Sequence, residues 1–418
     1  MSKKLLVVED SLAIAKIIQQ IAESLNYDVT VAASLTEVKG ILEHKNDFYA
    51  ATLDYSLPDA QDGEVIEHVL SHGIPSVVMT GRMDEKTRNK ILSLPVIDYI
   101  PKENSQAFMY LKRILFWQKR NKGTSVLVVD DSKAARNHIV ELLKRRNFTV
   151  FVTDTGKKAL DLLTRNPTIK LVVTDLEMPE MDGIELTNEI RKHYSRDKLA
   201  VIGISGVSNS MLSARFIKNG ADDFLRKPFC PEEFYCRLMQ NIENLYNIEQ
   251  IQKAANTDYL TELHNRRSFF TNGQGYINKY LSNEVHYALA MLDIDFFKKI
   301  NDEYGHDAGD HILKVLSSFM RKHLTSALLA RLGGEEFAVL IPGIEQEQIV
   351  NRLDDFRRAL AAAPIHFEQH QIHCSISIGI VLNSRAPLSE QLTAADVALY
   401  QAKENGRNQI CISNKTIA

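Results

Sequence analysis

The first half of this chain contains an internal repeat, and the repeat restricts the folds that the chain can adopt. The segment LLVVED at residues 5–10 recurs as VLVVDD at residues 126–131, and later segments recur in the same order. The matched polar residues are Glu9 and Asp130, Asp10 and Asp131, Asp54 and Asp175, Thr80 and Ser205, and Lys102 and Lys227. Two copies of roughly 120 residues are each long enough for a complete domain, so we predict two similar domains in succession.

Within each copy, short apolar runs alternate with segments of helical periodicity. Residues 134–143, for example, place Ala135, Ile139, Leu142 and Leu143 on one helix face. Strands that alternate with helices indicate a doubly wound α/β sheet, in which functional side chains collect at the carboxyl ends of the strands. Each matched polar residue lies at the end of an apolar run. We therefore expect these residues to meet at one edge of each sheet.

The residue types at these strand ends suit phosphoryl chemistry. Three carboxylates close together repel one another, and a hard divalent cation such as Mg²⁺ relieves the repulsion. A nearby lysine and hydroxyl can bind phosphate oxygens while one aspartate acts as the nucleophile. The alternative is a set of strand-end carboxylates that water merely solvates. Five positions that recur in matching order favour the phosphoryl site.

This pattern resembles the receiver domain of bacterial response regulators, and the resemblance covers residues 1–245. It implies two flavodoxin-like doubly wound domains with Asp54 and Asp175 as the phospho-acceptors. The implied Mg²⁺ ligands are Glu9, Asp10 and Asp54 in the first domain and Asp130, Asp131 and Asp175 in the second. The implied switch residues are Thr80, Tyr99 and Lys102 in the first domain and Ser205, Phe224 and Lys227 in the second.

The second copy follows the family pattern more closely than the first. Pro228 follows Lys227 in the second copy, whereas Glu103 follows Lys102 in the first. We therefore expect Asp175 to be the working phospho-acceptor, and a first copy that only packs as an adaptor is the alternative. The predicted domain bounds are 1–121 and 122–246 for the receivers, 247–256 for a helical linker and 257–418 for a third domain.

The segment from Pro231 to about Ala255 contains no glycine and no further proline. Its apolar residues fall three or four positions apart, which predicts one helix with one apolar face. These residues are Phe234, Leu238, Ile242, Leu245, Ile248 and Ile251. The start of this face is expected to pack on the second domain. Beyond Tyr246 we favour pairing with a second copy of the chain over packing within the same copy.

The third domain brings acidic residues to a strand end and to a tight turn. The run YALAMLDID delivers Asp293 at a strand end, and two glycines at 333–334 between strand patterns indicate a hairpin. Glu335 and Glu336 follow these glycines, where a turn without side chains lets a substrate approach the backbone closely. Three converging carboxylates can hold one or two Mg²⁺ ions on a nucleoside triphosphate.

Residues 255–418 resemble the GGDEF-type diguanylate cyclase domain in its GGEEF form, through LDIDFFKKINDEYGHDAGD, RLGGEEF, SISIGI and ALYQAKENGRNQI. The resemblance implies an α+β ferredoxin-like nucleotide-cyclase fold that condenses two GTP molecules into cyclic di-GMP. The implied catalytic and Mg²⁺-binding residues are Asp293, Glu335, Glu336 and the carbonyl of Ile294, with Mn²⁺ as an alternative cation. The implied substrate-binding residues are Asn301 and Asp310 for guanine, and Phe296, Phe297, Lys298, Lys403 and Arg407 for the phosphates.

One element of the family pattern is missing. Many family members carry an RxxD motif just before the hairpin, and its arginine and aspartate bind the product and inhibit the enzyme. The matching positions here hold Leu324 and Ala327. Neither side chain can form an ion pair with a dinucleotide, so we predict that inhibition through this segment is absent.

These features predict a response regulator whose cyclase output is switched on by receiver phosphorylation. A sensor histidine kinase is the expected phosphodonor, and catalysis requires a homodimer because each domain holds one GTP. Net charge is −3, and no apolar stretch is long enough to span a bilayer, so we expect a cytoplasmic protein that binds neither nucleic acid nor membrane. The alternatives are a catalytically silent sensor of GTP or cyclic di-GMP and a phosphotransfer adaptor.

Overall fold

The structure, a computed structural model, describes residues 2–45, 47–81, 84–206, 210–343 and 345–413. The chain divides into two compact units, Met1–Asn247 and Ile248–Ala418. The first unit contains two five-stranded sheets, and the second contains a six-stranded sheet and a two-stranded one.

The first domain is a parallel sheet with strand order β2-β1-β3-β4-β5. Its strands are β1 (Lys3–Val8), β2 (Tyr27–Ala32), β3 (Ala50–Asp54), β4 (Ser76–Thr80) and β5 (Asp98–Pro101). Its helices are α1 (Leu12–Ser24), α2 (Leu35–His44), α3 (Glu64–Ser71), α4 (Glu85–Ser93) and α5 (Ser105–Arg120). Strands β3 and β4 are buried along their whole length, because helices cover both faces of a doubly wound sheet.

The second domain repeats this topology, with strand order β7-β6-β8-β9-β10. Its strands are β6 (Ser125–Val129), β7 (Thr149–Thr153), β8 (Ile169–Asp175), β9 (Ala200–Ser205) and β10 (Asp223–Arg226). Its helices are α6 (Lys133–Arg145), α7 (Gly156–Arg165), α8 (Gly183–His193), α9 (Ser210–Lys218) and α10 (Pro231–Asn256). The prediction of two doubly wound α/β domains is confirmed.

Side-chain caps set several helix starts in this domain. The Ser132 hydroxyl accepts the Ala135 amide ahead of α6, and Asp182 forms a capping box with Glu185 ahead of α8. Helix α6 therefore begins one residue before the periodic segment that predicted it, because the cap lies outside the apolar pattern.

Helix α10 is continuous over Pro231–Asn256, as the apolar stripe predicts. Phe234, Leu238, Ile242 and Leu245 are buried, whereas Ile251 is 68% exposed. The first part of the stripe therefore packs on the second domain. Pairing of the later part with a second chain stays a prediction.

The two domains of the first unit contact each other through a buried ion pair. Arg146 follows α6 of the second domain and donates to the Asp98 carboxylate at the start of β5, with an N···O distance of 2.5 Å. The Tyr110 hydroxyl donates to the same carboxylate at 2.7 Å. Burial and the charge of Asp98 raise the pKa of Tyr110 to about 12, so the phenol keeps the proton that it donates. Beside this network, Trp117 packs edge-on against Tyr246 of α10.

The third domain has a mixed sheet with strand order β11-β13-β14-β12-β17-β18. Its strands are β11 (His264–Asn265), β12 (His286–Ile294), β13 (Leu328–Gly333), β14 (Glu336–Gly343), β15 (Ile365–Phe367), β16 (His370–Ile372), β17 (Ile376–Leu382) and β18 (Ile410–Ile412). Its helices are α11 (Arg266–Ser282), α12 (Phe297–Tyr304), α13 (His306–His323), α14 (Gln346–Ala362) and α15 (Leu388–Glu404). The central order β13-β14-β12-β17 is that of a ferredoxin-like βαββαβ unit, which confirms the predicted fold.

Strand β12 lies at the centre of this sheet, and its side chains alternate between two cores. Ala290 and Leu292 join the core that contains α13 and α14 residues. Leu289 and Met291 join the core that contains α11 and α15 residues. The alternation directs Asp293, the next residue in the second series, toward the face that α15 covers.

Candidate functional site

In the first domain, the strand ends bring the predicted phosphoryl-site residues together. Ligand oxygens of Glu9, Asp10 and Asp54 lie within 4.8 Å of one another. The Lys102 ammonium donates to Glu9 Oε2 at 2.7 Å and to Asp54 Oδ2 at 2.5 Å. Glu9 and Asp54 are buried, whereas Asp10 is exposed to solvent. The lysine therefore bridges the two inner carboxylates and leaves the outer one open.

The second domain repeats this arrangement, with the shorter side chain of Asp130 at the position of Glu9. Ligand oxygens of Asp130, Asp131 and Asp175 again lie within 4.8 Å of one another. Lys227 donates to Asp130 Oδ2 at 2.9 Å and to Asp175 Oδ1 at 2.8 Å. Asp130 is buried and Asp131 is exposed, as at the matching positions of the first domain.

The electrostatics of both sites suit a hard cation. Burial raises the pKa of Glu9 and of Asp175, although the neighbouring lysine opposes the shift in each case. Burial would lower the pKa of Lys227, but its hydrogen bonds to Asp175 and Asp130 raise it overall. Glu9 Oε1 is buried and, among the described residues, has no hydrogen-bond partner. Three carboxylates beside one lysine retain negative charge, and their oxygen donors fit Mg²⁺.

The predicted switch residues lie on the strands next to these sites. Thr80 ends β4 and Ser205 ends β9, and their carbonyls accept the backbone amides of Lys102 and Lys227 at 2.7 and 2.8 Å. Tyr99 lies on β5, where its side chain is half-buried. Phe224 lies on β10, and its ring centroid is 6.2 Å from that of Phe216.

In the third domain, β13 and β14 form the predicted hairpin around the glycine pair. Gly333 and Gly334 have φ values of +152° and +52°, a conformation that residues with side chains rarely adopt. Glu336 opens β14 and pairs in register with Asp293 of β12. Glu335 precedes it in the turn and is half-buried, whereas Glu336 is exposed.

Asp293 is bound by a lysine from α15. The Lys403 ammonium lies 2.9 Å from Asp293 Oδ1. Burial raises the pKa of Asp293 to about 6; Lys403 opposes the shift, and the charges of Glu335 and Glu336 add to it. Across the described ranges, only the sites of the first and second domains gather three such ligand groups within 4.8 Å. Asp293, Glu335 and Glu336 are therefore neighbours, but within the described residues they are less tightly grouped than the two clusters in the first half of the chain.

The predicted guanine-binding residues lie on two consecutive helices. Asn301 is in α12, and its buried Oδ1 has no hydrogen-bond partner within the part of the chain that the structure describes. A ligand donor can satisfy such an orphaned acceptor. Gly309 makes room for this amide, since a Cβ there would lie 1.9 Å from Asn301 Oδ1. Asp310 follows in α13 and is exposed.

The residues after Asp295 form two closely spaced helices, α12 and α13. Phe296 adopts φ +57° and precedes α12, and Phe297 is the buried first residue of that helix, followed by exposed Lys298. Helix α13 begins at His306, because Gly305 with φ +87° ends α12 and precedes α13 directly. The amides that can meet phosphate oxygens thus belong to a helix N-terminus.

Arg407 lies beyond α15 and reaches back to the same region. Its guanidinium carbon is 4.4 Å from the centre of the Phe296 ring. The structure therefore places one phosphate-binding candidate, Arg407, against another, Phe296.

The sequence reasoning missed two groups of residues around the site. Arg331 donates to the Gly334 carbonyl at 2.9 and 2.8 Å and to Asp258 Oδ1 at 3.1 Å, so it holds the hairpin. The second aspartate of LDID, Asp295, is buried and binds three donors. The Arg331–Asp258 contact and the three bonds to Asp295 join segments that are far apart in sequence. The only signal in the sequence was the second acid of the LDID motif, to which we had assigned no role.

The two residues at the RxxD positions are apolar and packed in the core. Leu324 is 1% exposed, and Ala327 packs against the same cluster. Neither residue offers a charged group for a dinucleotide.

Family models match most of the chain. Residues 5–111 and 126–239 match the response regulator receiver domain. Residues 255–409 match the domain described as diguanylate cyclase, GGDEF domain. Within the described residues, no helix has both the length and the apolar character that a membrane crossing requires.

Individual relatives include a response regulator, a diguanylate cyclase and a solved structure of a response regulator/GGDEF domain protein. The chain is 26% identical over 300 residues to the response regulator PleD of Caulobacter vibrioides, covering 69% of this chain and 65% of PleD. It is 32% identical over 249 residues to diguanylate cyclase A of Treponema denticola, covering 55% of this chain and 66% of that protein. A crystal structure of a two-component response regulator/GGDEF domain protein is 36% identical, with a TM-score of 0.54, over 59% of this chain and 100% of that chain. The chain therefore belongs to the response regulators and carries two receiver domains followed by a GGDEF domain.

Proposed function

We propose that the chain is a diguanylate cyclase that joins two GTP molecules into cyclic di-GMP and two pyrophosphates under receiver control. The observation that carries this proposal is Asp293 at the end of β12, opposite Glu336 of the glycine hairpin and 2.9 Å from Lys403. Acidic ligands beside a cation suit a metal-bound triphosphate. Relatives that are named diguanylate cyclases support the same activity.

The strand end and hairpin would bind the triphosphate. Asp293, Glu335 and the Ile294 carbonyl would hold Mg²⁺, with Mn²⁺ as an alternative. A bound cation supplies neutralisation of the phosphate charge. Lys403 and Arg407 bind the β- and γ-phosphates, as cationic side chains do at triphosphate sites. Lys403 exchanges its bond to Asp293 for phosphate oxygens as the substrate enters.

The Phe296 turn and the start of α12 contribute to phosphate binding. Backbone amides at Phe296 and Phe297 donate to phosphate oxygens, and the exposed Lys298 adds positive charge. Asp310 accepts hydrogen bonds from the N1–H and N2–H₂ groups of guanine, and Asn301 binds the remaining edge of the base. Adenine has no matching pair of donors, so these contacts select GTP.

Glu336 acts as the general base. It accepts the proton of a 3′-hydroxyl, the 3′-oxygen forms a bond to the α-phosphorus of the other GTP, and pyrophosphate leaves with the electrons of the broken P–O bond. The same step in the opposite direction closes the ring. Each domain holds one GTP, so two chains must face each other as a homodimer.

Phosphorylation of the receivers would control this dimer. A sensor histidine kinase is the phosphodonor, and Asp175 is the main acceptor, with Asp54 as the second. Asp130 and Asp131, or Glu9 and Asp10, would hold Mg²⁺, which would supply positive charge to balance the phosphoryl group. Thr80 with Tyr99, and Ser205 with Phe224, respond to the phosphoryl group and shift the population toward the active dimer. The cytoplasm is the expected compartment, where GTP is available.

Product inhibition through the RxxD positions should be absent. Leu324 and Ala327 offer no charge, so added cyclic di-GMP should leave the initial rate unchanged up to concentrations far above those of the product formed. A steep inhibition curve abolished by substitutions in residues 324–327 would contradict this.

The test of the proposal is product formation by the full chain. Purified protein with GTP and Mg²⁺ should yield cyclic di-GMP and pyrophosphate in a 1:2 ratio, measured by chromatography and a pyrophosphate assay. Glu336→Gln should lose the activity, whereas Glu347→Gln, an exposed glutamate on α14, should keep it. GTP binding without product would indicate a catalytically silent sensor instead of an enzyme. The absence of both GTP binding and product would indicate a phosphotransfer adaptor.

A further inference from the structure

Asp295 is a buried carboxylate for which the reaction described above has no role. It is 4% exposed and lies two residues after Asp293. Ser377 Oγ donates to its Oδ1 at 2.7 Å. Ser375 Oγ and the backbone N–H of Asn408 donate to its Oδ2 at 2.6 and 3.0 Å. The two hydroxyls lie on or beside β17, but the amide belongs to the turn that follows α15.

That turn has a backbone that needs support. Gly406, Arg407 and Asn408 have φ values of +113°, +64° and +45°. Two consecutive residues with side chains in this region are costly, so neighbouring contacts must hold them there.

The contacts that hold the turn come from three directions. The Arg407 amide donates to the Ala402 carbonyl at 3.0 Å within the turn. Arg357 of α14 donates to the Asn408 carbonyl and to Asn408 Oδ1, both at 2.7 Å. Asp295 is the contact from the strand end, and its ionised oxygen makes the stronger, charge-assisted kind of hydrogen bond.

The Asp295–Asn408 hydrogen bond lies between two phosphate-binding candidates. Phe296 follows Asp295 directly, and Arg407 precedes Asn408 directly. The ring of Phe296 and the guanidinium of Arg407 are stacked at 4.4 Å. Phe296 is 61% exposed, so this pair faces solvent, where a triphosphate can reach it. The hydrogen bond from the Asn408 amide to this buried carboxylate therefore links the chain segments that carry the two partners of the stack.

We infer that Asp295 is a positioning residue that places Arg407 for the β- and γ-phosphates of GTP. The inference rests on the proposed function, because it assigns Arg407 to the triphosphate. Asp295 touches neither substrate nor metal and acts through the Asn408 amide. Its loss should therefore weaken triphosphate binding and leave guanine recognition and the chemical step largely intact.

The conservative variant Asp295→Asn tests this role while keeping the shape of the side chain. GTP affinity should fall about tenfold, since a charge-assisted hydrogen bond becomes a neutral one and Arg407 loses its fixed place. KM for GTP should rise by a similar factor, with kcat within about threefold. GMP lacks the β- and γ-phosphates, so its affinity should not change. The matched control is Ser377→Ala, which removes a donor to Oδ1 and leaves the Oδ2 contact in place.

The deciding experiment is calorimetric titration of the full chain with GTP and with GMP in Mg²⁺. Every protein carries Glu336→Gln to prevent turnover, and the chain with this substitution alone is the parent. The variants add Asp295→Asn, Arg407→Ala, these two together, or Ser377→Ala. We expect Asp295→Asn to lose GTP affinity selectively and to add nothing to Arg407→Ala, which shows that the two act as one unit. Melting temperatures accompany each titration.

Two results would overturn the inference. In one, Asp295→Asn binds GTP within twofold of the parent while Arg407→Ala is weakened. In the other, GTP and GMP affinities fall equally, which marks general damage to the fold. A parent that binds GMP and GTP with equal affinity would instead remove the role of Arg407, and a parent that binds neither would overturn the proposed function itself.

Discussion

The two receiver domains share their strand order, yet the equivalent residues Asp98 and Asp223 have different surroundings. Asp98 pairs with Arg146 of the other domain, and the two side chains are 8% and 5% exposed. Asp223 pairs with Arg237 of its own domain at 2.7 Å, and these side chains are 19% and 37% exposed. The same motif thus forms part of a contact between domains in one copy and a surface ion pair in the other.

The two phosphoryl sites also differ in burial, and again the ion pair of the first domain is the more buried one. Lys102 is 10% exposed and lies 2.5 Å from Asp54, whereas Lys227 is 27% exposed and lies 2.8 Å from Asp175. The first site is therefore more enclosed, and its lysine must be displaced from a shorter contact before a phosphoryl group can enter. This comparison supports Asp175 as the acceptor that responds more readily.

The largest difference in stability is expected between substitutions of the two arginines, Arg146 and Arg237. Arg146→Met leaves the Asp98 carboxylate buried without its partner, which should lower the free energy of unfolding by about 3–5 kcal/mol. Arg237→Met breaks an exposed pair and should cost at most about 1 kcal/mol. Urea unfolding of the full chain measures both, and fluorescence of Trp117, the only tryptophan of the sequence, reports on this contact directly.

Equal losses in the two variants would remove the distinction between a buried domain contact and a surface pair. The double variant Arg146→Met with Asp98→Asn is the control. It should recover part of the loss, since a neutral amide costs less to bury than an unpaired carboxylate.

A smaller difference is expected for the two active-site lysines. Lys102→Met should destabilise the first domain by about 2–3 kcal/mol and Lys227→Met the second by about 1 kcal/mol, because the more enclosed lysine screens the more deeply buried carboxylates. Mg²⁺ should reduce both losses, since a divalent cation replaces the missing positive charge. Thermal unfolding with and without Mg²⁺ measures this, and Lys158→Met, at an exposed pair with Asp154, should show no change. A greater loss of stability for Lys227→Met than for Lys102→Met would contradict the conclusion that the first site is the more enclosed one.

The smallest effect is expected in the pH dependence of Mg²⁺ binding. Burial raises the pKa of Glu9 in the first site and of Asp175 in the second. Only the ionised carboxylates bind the cation, so affinity should be highest at neutral pH and fall several-fold as the pH drops toward 5. Titration of Mg²⁺ at pH 7.5 and pH 5 measures the change. Glu9→Gln should flatten the profile of the first site alone; an unchanged profile would contradict the role of Glu9.

Much of the fold could be predicted because its signals are local. The apolar runs, the glycine pair and the repeated strand-end acids each depend on residues close together in the sequence. The positions of Asp54, Asp175 and Asp293 at strand ends follow from the same patterns.

The remaining features depend on contacts between distant segments. In the sequence, Arg146 is one of several basic residues at a helix end. Nothing in the sequence around it indicates that it will form a buried ion pair with Asp98. Asp295 likewise meets Asn408 only after the sheet and α15 have formed. Lys403 was expected at the phosphates, but its ion pair with Asp293 forms only because α15 packs against β12 in the folded domain.

Control of the cyclase through Asp175 can be tested by measuring cyclic di-GMP formation with and without beryllofluoride, a phosphoryl mimic, in three forms of the full chain. We expect beryllofluoride to stimulate the wild type and Asp54→Asn but not Asp175→Asn, with basal activity retained in all three. Stimulation that survives in Asp175→Asn and disappears in Asp54→Asn would contradict the assignment of the more open site as the switch, and a wild type without stimulation would contradict receiver control altogether.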